Sequence, residues 1–486
     1  MKGAIAAGHP LTAQAGAAVL EAGGNAVDAC VAASFASWVC ESPLTGPGGG
    51  GFMVVHLARD GVTRVIDAYV AVPSGAAGEM EAIDVDFSGG STQVFRIGPA
   101  SVAVPGALAG LEEAHGRFGT LPWAELVGPA IRLARDGVEI TPAQAYMHAI
   151  LDVILRHTEE GRRLFGGEAP LSVGDRLVQP ELADMLARFA DEGASALYEG
   201  DVGREIARYL EEHGGAVTLR DLREYRVIRR RPVTVPFAGC DFRSNPPPAS
   251  GGILVCFGLQ QLGRGEPTTE RLLEVMAEQH LIRDRHFAQL LYRGGLARRL
   301  LRVGGGTTHI SAVDAEGNAA SLSISTGAGS GVVVPGTGFA LNNMLGEYNV
   351  LDTGPLPRAG SRLTSLMSPS IALEDGRPRL VLGSAGSLRL WSAIMQTTVN
   401  VLARGMGVEE AIDRPRVFRD DEAVHCEGGT PVEEMDRLDA LGYSVTRWRR
   451  RNLFFGGVSA VELRADGTLA AAGDPRRGGH GIVVGK

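Results

Sequence analysis

The stretch Gly304-Gly305-Gly306-Thr307-Thr308-His309-Ile310-Ser311 decides how the chain is read. Three glycines run directly into a hydroxyl-bearing residue that opens a strand. The pattern predicts a strand from Thr307 to Val313, a turn at Asp314-Ala315-Glu316-Gly317-Asn318, and a second strand from Ala319 to Ser325. If Val313 pairs with Ala319, the register puts Thr307 opposite Ser325. Directly opposed residues of an antiparallel pair share a face, with β-carbons about 4.5–5.5 Å apart. A threonine hydroxyl is a poor nucleophile until a base takes its proton. A threonine at the start of a chain carries its own base, an α-amine that titrates near ~7.7–8.0. Cutting the Gly306–Thr307 bond creates that amine, and glycines let the preceding carbonyl come close to the hydroxyl. The same residues also suit a plain Gly-rich turn feeding a hairpin.

The composition bounds the alternatives. The 486 residues are 44% hydrophobic and 21% charged, as in a globular protein, and are enough for one large layered unit or two or three domains. A net charge of −9 gives no electrostatic footprint for nucleic acid. The five cysteines are odd in number and widely spaced without a CxxC pair, which argues against a zinc site or a disulfide framework. Cys30, Cys40 and Cys256 sit in apolar runs and read as core residues. No uninterrupted run of about 20 apolar residues is present for a membrane span. Residues 1–8 lack a long apolar core and a cleavage site, so a cytoplasmic chain is expected; a start upstream of residue 1 would reverse that.

Along the chain, Thr12 reads as the N-cap of a helix from Ala13 to Ala22, stopped by Gly23-Gly24. A nearly all-apolar, buried helix is expected from Ala26 to Val39. Gly46-Pro47-Gly48-Gly49-Gly50-Gly51 formally matches GxGxxG, but a strand follows where a dinucleotide site needs a helix. Residues 84–100 read as a polar surface loop, and 142–230 as largely helical. Helices are also expected at 107–117, 123–135, 253–262 and 270–292. Arg229-Arg230-Arg231 and Arg447-Trp448-Arg449-Arg450-Arg451 read as solvated strand edges. A strand over 379–382, the turn Gly383-Ser384-Ala385-Gly386-Ser387 and a helix over 388–403 leave backbone N–H groups aimed at one point. Such a turn suits a phosphate or an oxyanion.

The junction resembles the start of the small subunit in the γ-glutamyltranspeptidase family, whose members cleave themselves before this threonine. The likeness runs over nearly the whole chain. It includes His9-Pro10-Leu11, Gly23-Gly24-Asn25-Ala26-Val27-Asp28-Ala29, Gly48-Gly49-Gly50-Gly51-Phe52 and Val104-Pro105-Gly106. It continues through Pro247-Pro248 with Ser250-Gly251-Gly252, Met367-Ser368-Pro369 and Gly473-Asp474-Pro475-Arg476-Arg477-Gly478-Gly479.

The resemblance implies an α/β fold, an αββα four-layer sandwich of N-terminal-nucleophile hydrolase type. Segments 1–306 and 307–486 would form one intertwined body, an α/β heterodimer made from one chain. It implies Thr307 as nucleophile, Thr308 and Ser325 orienting it, and Gly386 and Ser387 as oxyanion donors, with Ser387 standing where the family has glycine. Glu347 would hold the substrate amine and Ser365 its carboxylate. The implied reaction passes a γ-glutamyl group, from a donor such as glutathione, to water or an amino acid, with no metal or cofactor.

Four positions depart from the family pattern. Tyr69 stands in place of the substrate-gripping arginine, Gly327 in place of an asparagine, Met344 in place of a polar residue and Leu366 in place of a second serine. An altered grip opens an alternative, the same chemistry on another small amide. An unprocessed, non-catalytic paralogue is a further alternative, opposed by the intact Gly306-Thr307-Thr308 junction.

Overall fold

Thr308–Asp314 and Ala319–Ser325 form the expected hairpin, with Val313 opposite Ala319 and Thr308 opposite Ile324. The computed structural model describes residues 1–87, 91–263, 267–281, 308–350, 356–386, 389–420 and 422–485. Every residue of both strands is buried, because the hairpin lies in the middle of a sheet covered on both faces. The period of two sorts its side chains by layer. Ile310, Ala312, Ala320, Leu322 and Ile324 join the core beneath the helices. His309, Ser311, Ser321 and Ser323 share a hydroxyl–imidazole network, and Ser311 and Ser321 reach carbonyls of a second sheet.

The first sheet has seven antiparallel strands in the order His480–Val484, Gly3–Ala7, Thr308–Asp314, Ala319–Ser325, Gly50–Leu57, Val62–Ala68, Ile228–Arg230. The second has six: Leu469–Gly473, Gly457–Leu463, Arg377–Ala385, Ser370–Glu374, Cys240–Ser244, Val233–Phe237. Ala4, Ala6, Val54 and Val313 of the first meet Ile371, Val381 and Val461 of the second in an apolar core between them. Helices Pro10–Glu21, Ala26–Cys40 and Ala107–Phe118 pack on the outer face of the seven-stranded sheet. Gly251–Leu262 and Leu390–Thr398 cover the six-stranded one. The result is helix, sheet, sheet, helix. Both sheets mix strands from before residue 301 with strands from after 307.

Local physics explains both the agreements and the corrections. Ala26–Cys40 is buried along its whole length and starts on a capping box between Asn25 and Asp28. The first helix is Pro10–Glu21, one turn earlier than expected, capped by the His9 ring nitrogen instead of Thr12. The Thr12 hydroxyl donates to Glu41 instead. Residues 84–100 are not a loop: Glu81–Phe87 pairs with Ser91–Ile97. Val85, Phe95 and Ile97 are buried there against Ile154 and Phe165, and the charged residues between them face out. The helix begun at Leu390 widens to π geometry over Val399–Ala403. The helix expected to reach residue 292 is described as Thr269–Leu281. All five cysteines are buried and unbridged, and no helix among the described residues is long and apolar enough to cross a membrane.

The two sheets approach closely at Gly383. A β-carbon built there would lie 2.3 Å from His309 Cε1. Gly383→Ala is therefore expected to cost at least about 1–3 kcal/mol by overpacking. Gly116→Ala is the control: Gly116 lies in Ala107–Phe118 with open space around it. It should be neutral or stabilising by about 0.5–1 kcal/mol. Denaturant midpoints of the two variants check this.

Candidate active site

At the start of the hairpin's first strand, Thr308 donates its hydroxyl to Glu41 Oε2, and Thr12 donates to Oε1 at 2.9 Å. Glu41 follows the last turn of Ala26–Cys40, which delivers a carboxylate into the core beside Thr308. Burial raises its pKa, and the Thr308 and Thr12 hydroxyls and the Arg477 cation pull it part of the way back. His309, next along the strand, is not an acid or base. Burial lowers its pKa to about 3, and its neutral ring is held by Ser323 at 2.8 Å and Ser311 at 2.9 Å.

A cleft of about 560 Å³ opens over this strand end, lined in part by Glu41, Gln144, Thr308, Ser459 and Arg477. A second cleft of about 530 Å³ shares Leu44, Met147 and Arg477 with it and carries Gly327, Glu347, Gly386 and Arg389. The expected residues Thr308, Glu347 and Gly386 therefore line two adjoining clefts. Gly306, Thr307 and Ser387 lie outside the described residues. Ser325 is fully buried and accepts the Gly327 N–H at 2.7 Å, which fixes the turn after the hairpin.

Gly386 ends the strand Arg377–Ala385 at φ 135°, where a β-carbon would fall 2.7 Å from Gly456 Cα. Only glycine is unstrained there. Gly327 is constrained in the same way. At φ 73°, its β-carbon would meet Asn343 Oδ1 at 2.1 Å and Glu347 Oε1 at 2.7 Å. The missing asparagine side chain is thus space taken up by Asn343 and Glu347. Burial raises the Glu347 pKa to about 7, so the carboxyl is largely neutral below that pH.

Tyr69 is sealed from solvent. Its ring stacks on Phe52 with centroids 5.3 Å apart, and its hydroxyl donates to Met344 Sδ at 3.0 Å. Burial, then the Glu347 charge, raises its pKa, and the Ser365 hydroxyl opposes them. Tyr69, Met344, Glu347 and Ser365 are neighbours, as the family pattern implies, but two of these four side chains are already satisfied by each other. Ser365 Oγ accepts from Met367 N at 3.2 Å, and Leu366 is buried in the core under the second sheet. Asp67, two residues before Tyr69, pairs with Arg230 at 2.6 Å and Arg362 at 3.2 Å. Arg230 lies on the sheet's edge strand, as expected, but it is only partly exposed and pairs with the buried Asp67.

Sequence reasoning missed Glu41, Arg389 and Arg477. The break Glu41-Ser42-Pro43 after fifteen residues of apolar helix was a usable signal for the first. Arg477 lay inside a quoted motif without a role, and nothing local marks Arg389.

Glu41→Ala leaves two buried hydroxyls without their acceptor and removes a counter-charge near Arg477. A loss of about 2–5 kcal/mol is expected, with Glu41→Gln losing less. Because the folded pKa is raised, the carboxyl's contribution is full below the ordinary carboxylate range and fades as pH rises through the raised value. The gap between wild type and Glu41→Gln should narrow as pH is raised above the ordinary carboxylate range in denaturant titrations.

The family model described as Gamma-glutamyltranspeptidase matches residues 12–289 and 274–484. An acylase ACY 1 proenzyme of Pseudomonas sp. (strain SE83) is 33% identical over 528 residues, covering 99% of this chain and 94% of that one. A glutathione hydrolase proenzyme of Escherichia coli (strain K12) is 29% identical over 532 residues, covering 98% and 90%. The crystal structure of cephalosporin acylase from Bacillus halodurans superposes with a TM-score of 0.84 at 25% identity, covering 99% of this chain and 95% of that one. With its helix–sheet–sheet–helix layers and its threonine hairpin, the chain belongs to the γ-glutamyltranspeptidase family of N-terminal-nucleophile hydrolases.

Proposed function

We propose that the chain is a self-processing threonine acylase acting on small amides that are not gripped as γ-glutamyl groups. Cleavage of Gly306–Thr307 frees the Thr307 α-amine, which takes the hydroxyl proton as Oγ1 attacks the amide carbonyl. The Gly386 and Ser387 N–H groups steady the oxyanion. The amine product leaves with the proton, and water or an amine acceptor then releases the acyl group from Thr307. Thr308 and Ser325 orient the nucleophile.

The observation that carries the substrate reading is Tyr69. An arginine there would give a carboxylate two charge-assisted bonds. The phenol instead spends its hydroxyl on Met344, behind a stacked Phe52. The similarity to the Pseudomonas acylase and to the Bacillus cephalosporin acylase supports the same reading. γ-Glutamyl amides such as glutathione are the second reading, favoured by Glu347, which keeps the amine-binding charge.

On a gel, active protein should give fragments of 306 and 180 residues, and Thr307→Ala a single band of 486. The processed enzyme should hydrolyse simple acyl p-nitroanilides with kcat/KM at least about tenfold above the γ-glutamyl anilide, since a lost charged contact is worth about that much. The reverse order would establish the second reading. For any amine-bearing substrate, Glu347 pairs with the ammonium only when ionised. KM should therefore fall as pH rises through about 7, and Glu347→Gln should flatten that profile.

A further inference from the structure

One wall of the cleft that holds Gly386 takes no part in the steps described for Thr307. The helix Pro142–Ile150 carries Met147 and Ile150, and Leu151 follows; the spacing i, i+3, i+4 puts all three on one face. The strand Ser91–Ile97 puts Gln93 and Phe95 on one face, because side chains alternate along a strand. Leu44, beyond the Ala26–Cys40 helix, and Ala328, beyond the hairpin, line the same cleft. Leu44, Phe95, Met147, Ile150, Leu151 and Ala328 belong to one packed apolar cluster together with Ile154 and Phe165. Phe95, Leu151 and Ala328 are buried. Leu44, Met147 and Ile150 are only half-buried and border a cleft of about 530 Å³.

The charged groups of this cleft come from other segments. Arg389 lies 4.4 Å over the Phe454 ring and donates its Nε to Phe454 O at 3.0 Å, while the stem of Arg477 crosses Gly457. Burial raises the Glu347 pKa to about 7, the mark of surroundings poor in water. The adjoining cleft differs, since Glu41, Gln144 and Asp474 line it with Thr308. Half-open apolar surface is stabilised when an apolar group covers it, and each methylene so buried is worth about fourfold in binding. The amine leaves before water enters, whereas the acyl group stays through both steps. A fixed apolar wall beside the oxyanion glycine therefore suits the acyl side.

We propose that Leu44, Phe95, Met147, Ile150, Leu151 and Ala328 form the pocket for an aliphatic acyl chain, so that the small amides cleaved are those of medium-length apolar acids. This deepens the amide-hydrolase reading and rests on it for turnover.

The readout is the ratio of kcat/KM for hexanoyl p-nitroanilide over acetyl p-nitroanilide on the processed enzyme. A ratio taken within one variant does not depend on how much of that variant is folded. The added methylenes should give wild type a ratio of at least about 10. Ile150→Asn should lower the ratio at least about threefold. Gln93→Leu, which extends the wall from the strand side, should raise it by about twofold or more, a gain that damage to the fold does not produce. A wild-type ratio below about 10 overturns the proposal, and so does the failure of either substitution to move it as stated. A preference for p-butylacetanilide over acetanilide that Ile150→Asn abolishes would assign the wall to the departing amine and overturn the acyl assignment. Should wild type cleave only the γ-glutamyl anilide, or no amide at all, the proposed function fails on its own, and calorimetric titration decides the pocket. Heat with hexanamide that exceeds the heat with acetamide and is lost in Ile150→Asn supports it. Heat that is equal for the two, absent in wild type or retained in Ile150→Asn overturns it.

Discussion

A neutral imidazole wedged between two sheets sets the geometry of this molecule. His309 is bonded to hydroxyls on its own hairpin, and its ring lies flat against the backbone at Gly383. Ser311 and Ser321 extend the contact to carbonyls at Ser459 and Leu382. A sheet interface built only of aliphatic side chains could slip by a residue at modest cost. One crossed by directional bonds has a single register, since a slip leaves buried polar groups unpaired. Thr308 is the next residue on that strand, so its hydroxyl inherits the precision of the seam.

Around this fixed point the charges have been redistributed. Asp67 in the strand Val62–Ala68 is satisfied by arginines from two distant segments, and the aromatic two positions on is buried against methionine and phenylalanine. Positive charge appears on another wall of the cleft, where Gly457 and Phe454 hold Arg477 and Arg389 in place. The strand Thr308–Asp314 and Gly386 at φ 135° are built by elements other than those that carry these charges. Catalytic and binding parts can diverge in this way because different strands and loops carry them.

What was legible in the sequence follows from the range of the forces involved. The hairpin register and the apolar Ala26–Cys40 helix are set by periodicity within a dozen residues, and both were readable. The strand pair at Glu81–Phe87 and Ser91–Ile97 was misread because its outward face is charged and polar, and only partners some sixty residues on bury the inner face. His9 was missed as a cap because a ring nitrogen mimics the usual hydroxyl. Glu41 and Arg477 escaped because their roles depend on residues 267 and 436 positions away, a distance no local pattern encodes.

The position of Gly3–Ala7 bears on how the chain is made. This segment lies between Thr308–Asp314 and His480–Val484, so both of its neighbours are made hundreds of residues after it. At translation speeds of about 5–20 residues per second, it waits roughly half a minute to a minute and a half for its second neighbour. Its Gly-Ala-Ile-Ala-Ala composition is small and only weakly sticky, which suits an element that must remain unattached for so long. Assembly of the central layer is thus delayed until His480–Val484 has been made.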